Sequence, residues 1–165
     1  GNGRSLGVTL SGAGLTLGVY GAEIEYDGAN ANIGDSFEGV WYANYSMGPV
    51  SVGYSQSYLD RGLDTTTATA ATAGKTMGTA GGLFEATSMS IAFKVNDDFS
   101  VSYGESNRTN HGISTTASVE RSLESIQATY TMGAMTLGMS LYETDNPEGT
   151  TGKYEETELS VSFAF

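Results

Sequence analysis

ELSVSFAF, residues 158–165, alternates polar or small residues with apolar ones without a break. Successive side chains of a β-strand point to opposite faces of the sheet, so this stretch predicts a strand with one apolar and one polar face. In a soluble β-sandwich the apolar face would form the core. In a membrane barrel it would contact lipid, and the polar face would line a lumen.

The same alternation recurs along the chain and predicts nine strands with almost no helix. Such repetition is typical of antiparallel all-β proteins. We therefore predict one all-β domain over residues 1–165. The predicted strands are Leu6–Leu10, Leu15–Tyr20, Trp41–Met47, Val50–Ser55, Ser88–Val95, Phe99–Gly104, Ser125–Met132, Met135–Tyr142 and the C-terminal strand that ends with residues 158–165.

Composition excludes several classes of protein. The chain has 165 residues, a net charge of −12 and no cysteine. The acidic balance argues against binding to nucleic acid, whose phosphates attract basic proteins. Without cysteine there is neither a disulfide nor a thiolate for catalysis or metal binding. No stretch approaches the roughly 18 consecutive apolar residues of a membrane-spanning helix.

Connections between the predicted strands alternate between short and long, which favours a transmembrane β-barrel with tight turns at one end. Short turns are expected at residues 11–14, 48, 96–98 and 133–134, and long polar loops at 27–36, 60–83, 106–118 and 145–153. Two hairpins nearly repeat each other, YSMGPVSVGYS at 45–55 and YTMGAMTLGMS at 130–140. Their shared glycine suits a tight turn with positive φ.

The small polar strand residues, the Met-Gly turns and the terminal alternation of Leu159, Val161, Phe163 and Phe165 resemble the C-terminal part of a Gram-negative general porin of the alphaproteobacterial type. The resemblance implies a homotrimeric, passive channel for small hydrophilic solutes in the outer membrane. It also implies that Leu159, Val161 and Phe163 face lipid, and that the assembly machinery of the outer membrane reads the terminal Phe165.

Strand parity leaves two hypotheses about the barrel. If Phe165 ends in the periplasm, the first predicted strand starts at the external end, whereas bacterial barrels have an even strand number and periplasmic termini. We therefore expect about seven further strands before Gly1, in a barrel of about 16. The alternative is that Leu6–Leu10 is no barrel strand, which leaves a small, non-conducting eight-stranded barrel for adhesion or anchoring.

Charged and polar residues on the polar parity are the candidate pore lining. Because carboxylates predominate among the charges, we expect a preference for cations. The alternative is that the carboxylates only keep the wall hydrated. The predicted pore-lining residues are Glu38, Tyr42, Asn44, Lys94, Arg121, Gln127, Glu156 and Glu158.

A second set of carboxylates falls on the apolar parity, late in each strand, where we expect the outer rim of the membrane. Carboxylates are tolerable there but costly at the midplane. We expect them to bind lipopolysaccharide phosphates through Ca²⁺ or Mg²⁺, which prefer oxygen ligands; a merely solvated rim is the alternative. The set comprises Glu85, Glu105, Glu124 and Glu143, together with Glu23, Glu25 and Glu155.

His111, the single histidine, lies in an Asn/Gly-rich stretch with no patterned nucleophile or acid. Catalysis needs a nucleophile, a base and an orienting group that converge. We therefore expect a solvated loop histidine and no enzyme; a barrel hydrolase and a soluble sandwich rank below the two membrane hypotheses. No phosphate loop, dinucleotide fingerprint or metal-ligand cluster is present in the sequence, so no resident cofactor is expected.

Overall fold

The computed structural model describes residues 2–25, 35–62, 80–112, 119–147 and 151–164. They form one antiparallel sheet of nine strands in chain order, which confirms the prediction of an antiparallel all-β fold. No helix in these ranges is long and apolar enough to cross a membrane. The strands are β1 (Gly3–Gly12), β2 (Leu15–Ile24), β3 (Ser36–Met47), β4 (Val50–Asp60), β5 (Ala80–Lys94), β6 (Phe99–Gly112), β7 (Val119–Met132), β8 (Met135–Asp145) and β9 (Lys153–Phe163).

Short and long connections lie at opposite ends of the sheet, as predicted. The turns after β1, β3, β5 and β7 have two to four residues, and those after β2, β4, β6 and β8 have six or more. We call these two ends the short-turn end and the long-loop end. Four of the eight antiparallel pairs are therefore closed tightly at the short-turn end, and the other four are joined by loops at the long-loop end.

Glycine conformation sets the two-residue turns. Gly14 (φ 80°), Gly48 (φ 58°) and Gly133 (φ 60°) all have positive φ. Turns of this kind match the right-handed twist of the paired strands, and glycine adopts them without a steric penalty. The positive φ expected for the shared glycine of the repeated hairpins is confirmed. In the remaining short turn, Asn96 Oδ1 instead accepts hydrogen bonds from two backbone N–H groups, at 2.9 Å each.

A hydroxyl pair stands beside each two-residue turn on the same face of the sheet. The three hairpins with a two-residue turn therefore share a side-chain contact as well as a glycine turn. The pairs are Ser11–Thr16 (3.1 Å), Ser46–Ser51 (2.9 Å) and Thr131–Thr136 (3.3 Å).

The strands reach further toward the long-loop end than the sequence predicts. β6 continues to Gly112 and β7 begins at Val119, so most of the expected loop over 106–118 is strand. Similarly, β3 begins at Ser36. Both faces of the β6 extension are polar, so the period-two signal disappears there although the backbone pairing continues.

Register divides the sheet into two faces, because directly paired residues share a face. One cross-strand row runs through Leu17, Ala43 and Tyr54, and we call this side the apolar face. The neighbouring row on the other side, the polar face, starts with Gly18 and Tyr42.

Nothing in the described chain covers the apolar face. Phe84, which lies on the polar face, is the one buried hydrophobic side chain among the described residues. Leu17, Trp41 and Ile91 on the apolar face stay more than 40% exposed. A β-sandwich buries such a face against a second sheet, and all nine described strands belong to one sheet. The described sheet therefore lacks the two-layer packing that the soluble-sandwich alternative requires.

Both outer strands present an open edge. β1 pairs with β2 alone and β9 with β8 alone among the described strands. Leu6 on β1 and Leu159 on β9 are 74% and 75% exposed. An unpaired strand edge leaves backbone N–H and C=O groups unsatisfied, which is costly away from water.

We expect Gly133→Ala to destabilise the protein by about 1–2 kcal/mol, because alanine is strained at positive φ. A Cβ at Gly133 would meet no atom within 4 Å, so the effect isolates backbone strain. Urea unfolding of the full-length protein in lipid vesicles, followed by tryptophan fluorescence, measures it. Gly12→Ala, at another open position but with ordinary φ, is the matched control. Equal urea midpoints for the two variants would contradict the positive φ at Gly133.

Candidate functional site

The polar face carries all eight predicted pore-lining residues. Tyr42 and Asn44 lie on β3, Gln127 on β7 and Glu156 on β9, each in register with other polar-face positions. Glu38, Lys94, Arg121 and Glu158 share the same face. The set does not converge on one point; it spreads over four strands, β3, β5, β7 and β9. The arrangement is that of a wall, and its role as a pore lining stays a prediction.

Tyr42 lies flat on this wall. A Cβ at Gly18 would be only 2.2 Å from the Tyr42 ring, so the ring passes directly over this glycine. Its hydroxyl reaches toward Thr9 Oγ1 on β1, 3.5 Å away. Asn44 similarly leans over Gly53, where an added Cβ would be 2.7 Å from Asn44 Oδ1. The glycines let large polar side chains lie along the sheet instead of standing out from it.

Lys94 is neutralised close to its own strand. Its Nζ donates to Asp97 Oδ1 at 2.8 Å in the turn between β5 and β6. The hydrogen bond from Lys94, followed by its positive charge, holds the pKa of the Asp97 carboxyl below its ordinary value. The Asp97 carboxylate therefore offsets the charge of Lys94, which adds little net charge to the polar face.

Arg108 is a polar-face residue that the sequence analysis missed. It is the direct cross-strand partner of Arg121. Because the predicted sixth strand ended at Gly104, Arg108 fell in an expected loop. The even-numbered residues of the predicted sixth strand lie on the polar face. Extending this parity past Gly104 places Arg108 on that face.

Charges on the polar face are consequently segregated. The carboxylates lie toward the two margins of the sheet, Glu38 on β3 and Glu156 and Glu158 on β9. The two arginines lie between them on β6 and β7. The predicted excess of carboxylates on this wall is therefore smaller than the sequence analysis implied.

The apolar face carries the predicted outer-rim carboxylates, and the register brings four of them together. Glu105, Glu124, Glu143 and Glu155 form one row across β6–β9, each directly opposite the next. Nearby groups compensate part of this charge. Asn107 donates to Glu105 Oε1 at 2.9 Å, Lys153 forms an ion pair with Glu143, and the Tyr103 hydroxyl faces Glu105 and Glu124.

Glu85, Glu23 and Glu25 lie on the same face but outside this row. Glu85 is instead paired with His111, whose Nε2 lies 2.7 Å from Glu85 Oε2. Glu25 forms a 2.8 Å ion pair with Arg4. His111 lies in β6, so its expected position in a solvated loop is wrong. The strand extension again explains the error.

No three histidine or acidic side chains within the described ranges are placed to hold a metal ion. A divalent ion at the carboxylate row would therefore need oxygen ligands from another molecule, such as a lipid phosphate. The predicted Ca²⁺ or Mg²⁺ bridge stays a prediction.

The predicted lipid-facing residues of the last strand share the apolar face. Leu159, Val161 and Phe163 pair with Met139, Leu137 and Met135 on β8. They are 75%, 59% and 58% exposed, so this face is uncovered up to the end of β9. Phe165 lies outside the described residues.

One solved structure, titled "Structure of porin refined at 1.8 angstroms resolution", is similar to this chain with a TM-score of 0.66 and 15% sequence identity. The match covers 95% of this chain and 50% of that one, so the chain spans half the length of the solved porin. No protein-family description matches the sequence. No curated protein matches it either. The likeness shows the fold: an antiparallel β-barrel architecture, as the sequence predicted.

We expect Gly18→Ala to displace the Tyr42 ring and to lower the free energy of unfolding. The loss should depend on the ring, so Gly18→Ala in a Tyr42→Ala background should cost much less. Urea unfolding of the four members of this cycle gives the coupling, expected at about 0.5–3 kcal/mol for residues in contact. A coupling of zero would mean that the ring does not lie over Gly18.

We expect Glu124→Gln to stabilise the sheet at low ionic strength by about 0.2–1 kcal/mol, because Glu124 faces a carboxylate on both sides. Screening should remove the gain at high salt. Glu120→Gln is the control, since Glu120 lies on the same strand and face but opposite Thr109.

If the row also bridges divalent ions to lipid phosphates, a chelator should lower the melting temperature of the wild type more than that of Glu124→Gln. Equal chelator effects in the two proteins would mean that the row is a solvated rim and bridges no divalent ion.

Proposed function

We propose that this chain forms part of an outer-membrane porin, a passive channel for small hydrophilic solutes and ions. The observation that carries the proposal is a single sheet with an uncovered apolar face and a continuous polar face. Such a sheet suits a wall between lipid and a water-filled lumen. Transport through it is diffusion, with wall charges that set selectivity and no catalytic step.

Strand parity supports a barrel larger than the nine described strands. Eight successive antiparallel pairings make β1 and β9 run in the same direction. If these edges met, they would pair in parallel, whereas bacterial outer-membrane barrels are antiparallel with an even strand number. An odd number of further strands is needed, and about seven would give the 16 strands of a channel-forming barrel. The half-length match to the solved porin supports this number.

The alternative, a small non-conducting barrel for adhesion or anchoring, requires that β1 lie outside the sheet. β1 instead pairs with β2 without interruption from Gly3 to Gly12. Eight strands fill their own interior with side chains. The described polar face is rich in glycine and serine and holds Tyr42 flat, which favours an open lumen.

We further propose a modest preference for cations. The net charge of −12 produces a negative potential around the channel mouths, which raises the local concentration of cations. Glu156 and Glu158 on β9 contribute to it on the polar face itself. The arginines on β6 and β7 oppose this effect locally.

The porin likeness also extends to partners. We propose that the apolar face contacts outer-membrane lipid and lipopolysaccharide, and that the assembly machinery of the outer membrane inserts the chain. Likewise, we propose that the protein is a porin of the alphaproteobacterial type and that it assembles as a homotrimer. The paired rings of Trp41 and Tyr54, 5.2 Å apart on the apolar face, suit an interface with lipid headgroups or with a second subunit.

We expect the protein isolated from its source membrane to give stepwise, ohmic conductance in planar bilayers, with a reversal potential that favours potassium over chloride. Glu156→Gln combined with Glu158→Gln should reduce this preference. Glu155→Gln is the control, because it removes the same charge from the opposite face of the same strand.

Intact mass measured on the same sample tests the size of the barrel. A mass close to twice that of this chain, or a second fragment of similar size, is expected for the porin. Stable insertion without conductance, at the mass of this chain alone, would establish the small barrel instead.

A further inference from the structure

Arg108 and Arg121 face each other across β6 and β7, and nothing in the described chain neutralises them. Like charges directly opposite each other in a sheet are destabilising. Neither guanidinium forms an ion pair with a described residue. The Nε of each is buried without a hydrogen-bond partner. With 19 acidic residues in the chain, an unpaired arginine pair is unexpected on composition alone.

An aromatic ring holds one of these arginines in place. The guanidinium carbon of Arg108 lies 5.8 Å from the ring centroid of Phe84, and that of Arg61 lies 4.7 Å from it. Phe84 is only 7% exposed. A cation–π contact uses the flat face of the guanidinium and leaves the N–H groups at its edge able to donate.

A hydrogen-bond acceptor lies beside the arginines. Asn110 is two residues from Arg108 on the same face of β6, and it is 8% exposed. Its Oδ1 is buried, and no donor from the described residues reaches it. A buried acceptor without a donor is costly, so a native structure normally supplies one. The site therefore offers several donors with positive charge and one acceptor.

We propose that Arg108, Arg121 and Asn110 form a binding site for the phosphate group of a solute. Phosphate oxygens accept hydrogen bonds from guanidinium groups in the paired geometry that arginine favours. The monohydrogen form of the group also carries a hydroxyl, which donates to Asn110 Oδ1. Inorganic phosphate carries this hydroxyl at neutral pH, whereas a phosphate monoester carries it only in its monoanionic form. Sulfate has the same shape and charge but no proton to donate at neutral pH.

The site lies toward the long-loop end of the polar face. Tyr103 is the last large apolar residue on the apolar face of β6, and Arg108 follows five positions later. Five residues of strand span about 16 Å. The site is thus beyond the apolar band, where a solute would enter a channel. Only the placement of the site at a channel entrance rests on the proposed function; phosphate binding itself does not.

Equilibrium binding to the full-length protein in detergent tests the site independently of transport. In titration calorimetry with inorganic phosphate, we expect Arg108→Gln and Arg121→Gln each to weaken binding at least tenfold. Asn110→Ala should weaken phosphate binding and leave sulfate binding unchanged. Arg4→Gln, which removes an arginine from the apolar face, is the control and should bind as the wild type does.

Arg121→Glu separates binding from folding. It places a carboxylate opposite Arg108, so it should fold at least as well as the wild type and bind no phosphate. If the wild type binds phosphate no more tightly than Arg121→Glu, or binds sulfate as tightly as phosphate, the proposal is wrong.

Conductance of the same samples distinguishes the two proposals. Channels without phosphate binding overturn the site alone. Phosphate binding without channels supports the site and overturns the porin.

Discussion

Backbone N–H and C=O groups have to be satisfied wherever water cannot reach them, and the remainder of this structure depends on that constraint. Eight antiparallel ladders satisfy it from β1 to β9, with one register shift, between Ala80 and Phe84 in the pairing of β5 with β6. Within such ladders the register of one hairpin fixes the faces of all the strands that follow. Tight glycine turns keep the register constant, and so the apolar face remains continuous over nine strands. The two outer edges, on β1 and β9, have no partner strand among the described residues.

The central part of each strand could be predicted from the sequence, because its side chains alternate strictly between an apolar and a polar face. Leu159, Val161 and Phe163 are identifiable for this reason. Beyond the apolar band, water reaches both faces and the alternation fades, although pairing continues. Arg108 and His111 lie in this zone, and the sequence analysis therefore placed both in a loop. The faces of the eight predicted wall residues follow from parity alone.

Contacts between strands could not be predicted, because they depend on register. The sequence placed Glu105, Glu124 and Glu143 on one face, but only the pairing of β6, β7 and β8 shows that they are directly opposite one another. Glu85 also falls on the apolar parity late in its strand. It lies outside the row because it is opposite Thr109 on β6. The two predicted basic wall residues also differ in their partners. Lys94 forms an ion pair with Asp97 in the adjacent turn, whereas Arg121 lies directly opposite Arg108.

The two like-charge groups on this sheet differ in how they are compensated. The carboxylate row faces outward and has donors from Asn107 and Lys153 within the chain, so part of its repulsion is already relieved. The arginine pair on the polar face has no such counterpart in the described chain, and the Nε groups are buried. Repulsion between exposed charges is weakened by water and salt, whereas burial strengthens it. An uncompensated, partly buried pair is therefore the stronger indication that a charged molecule from outside the chain completes the structure.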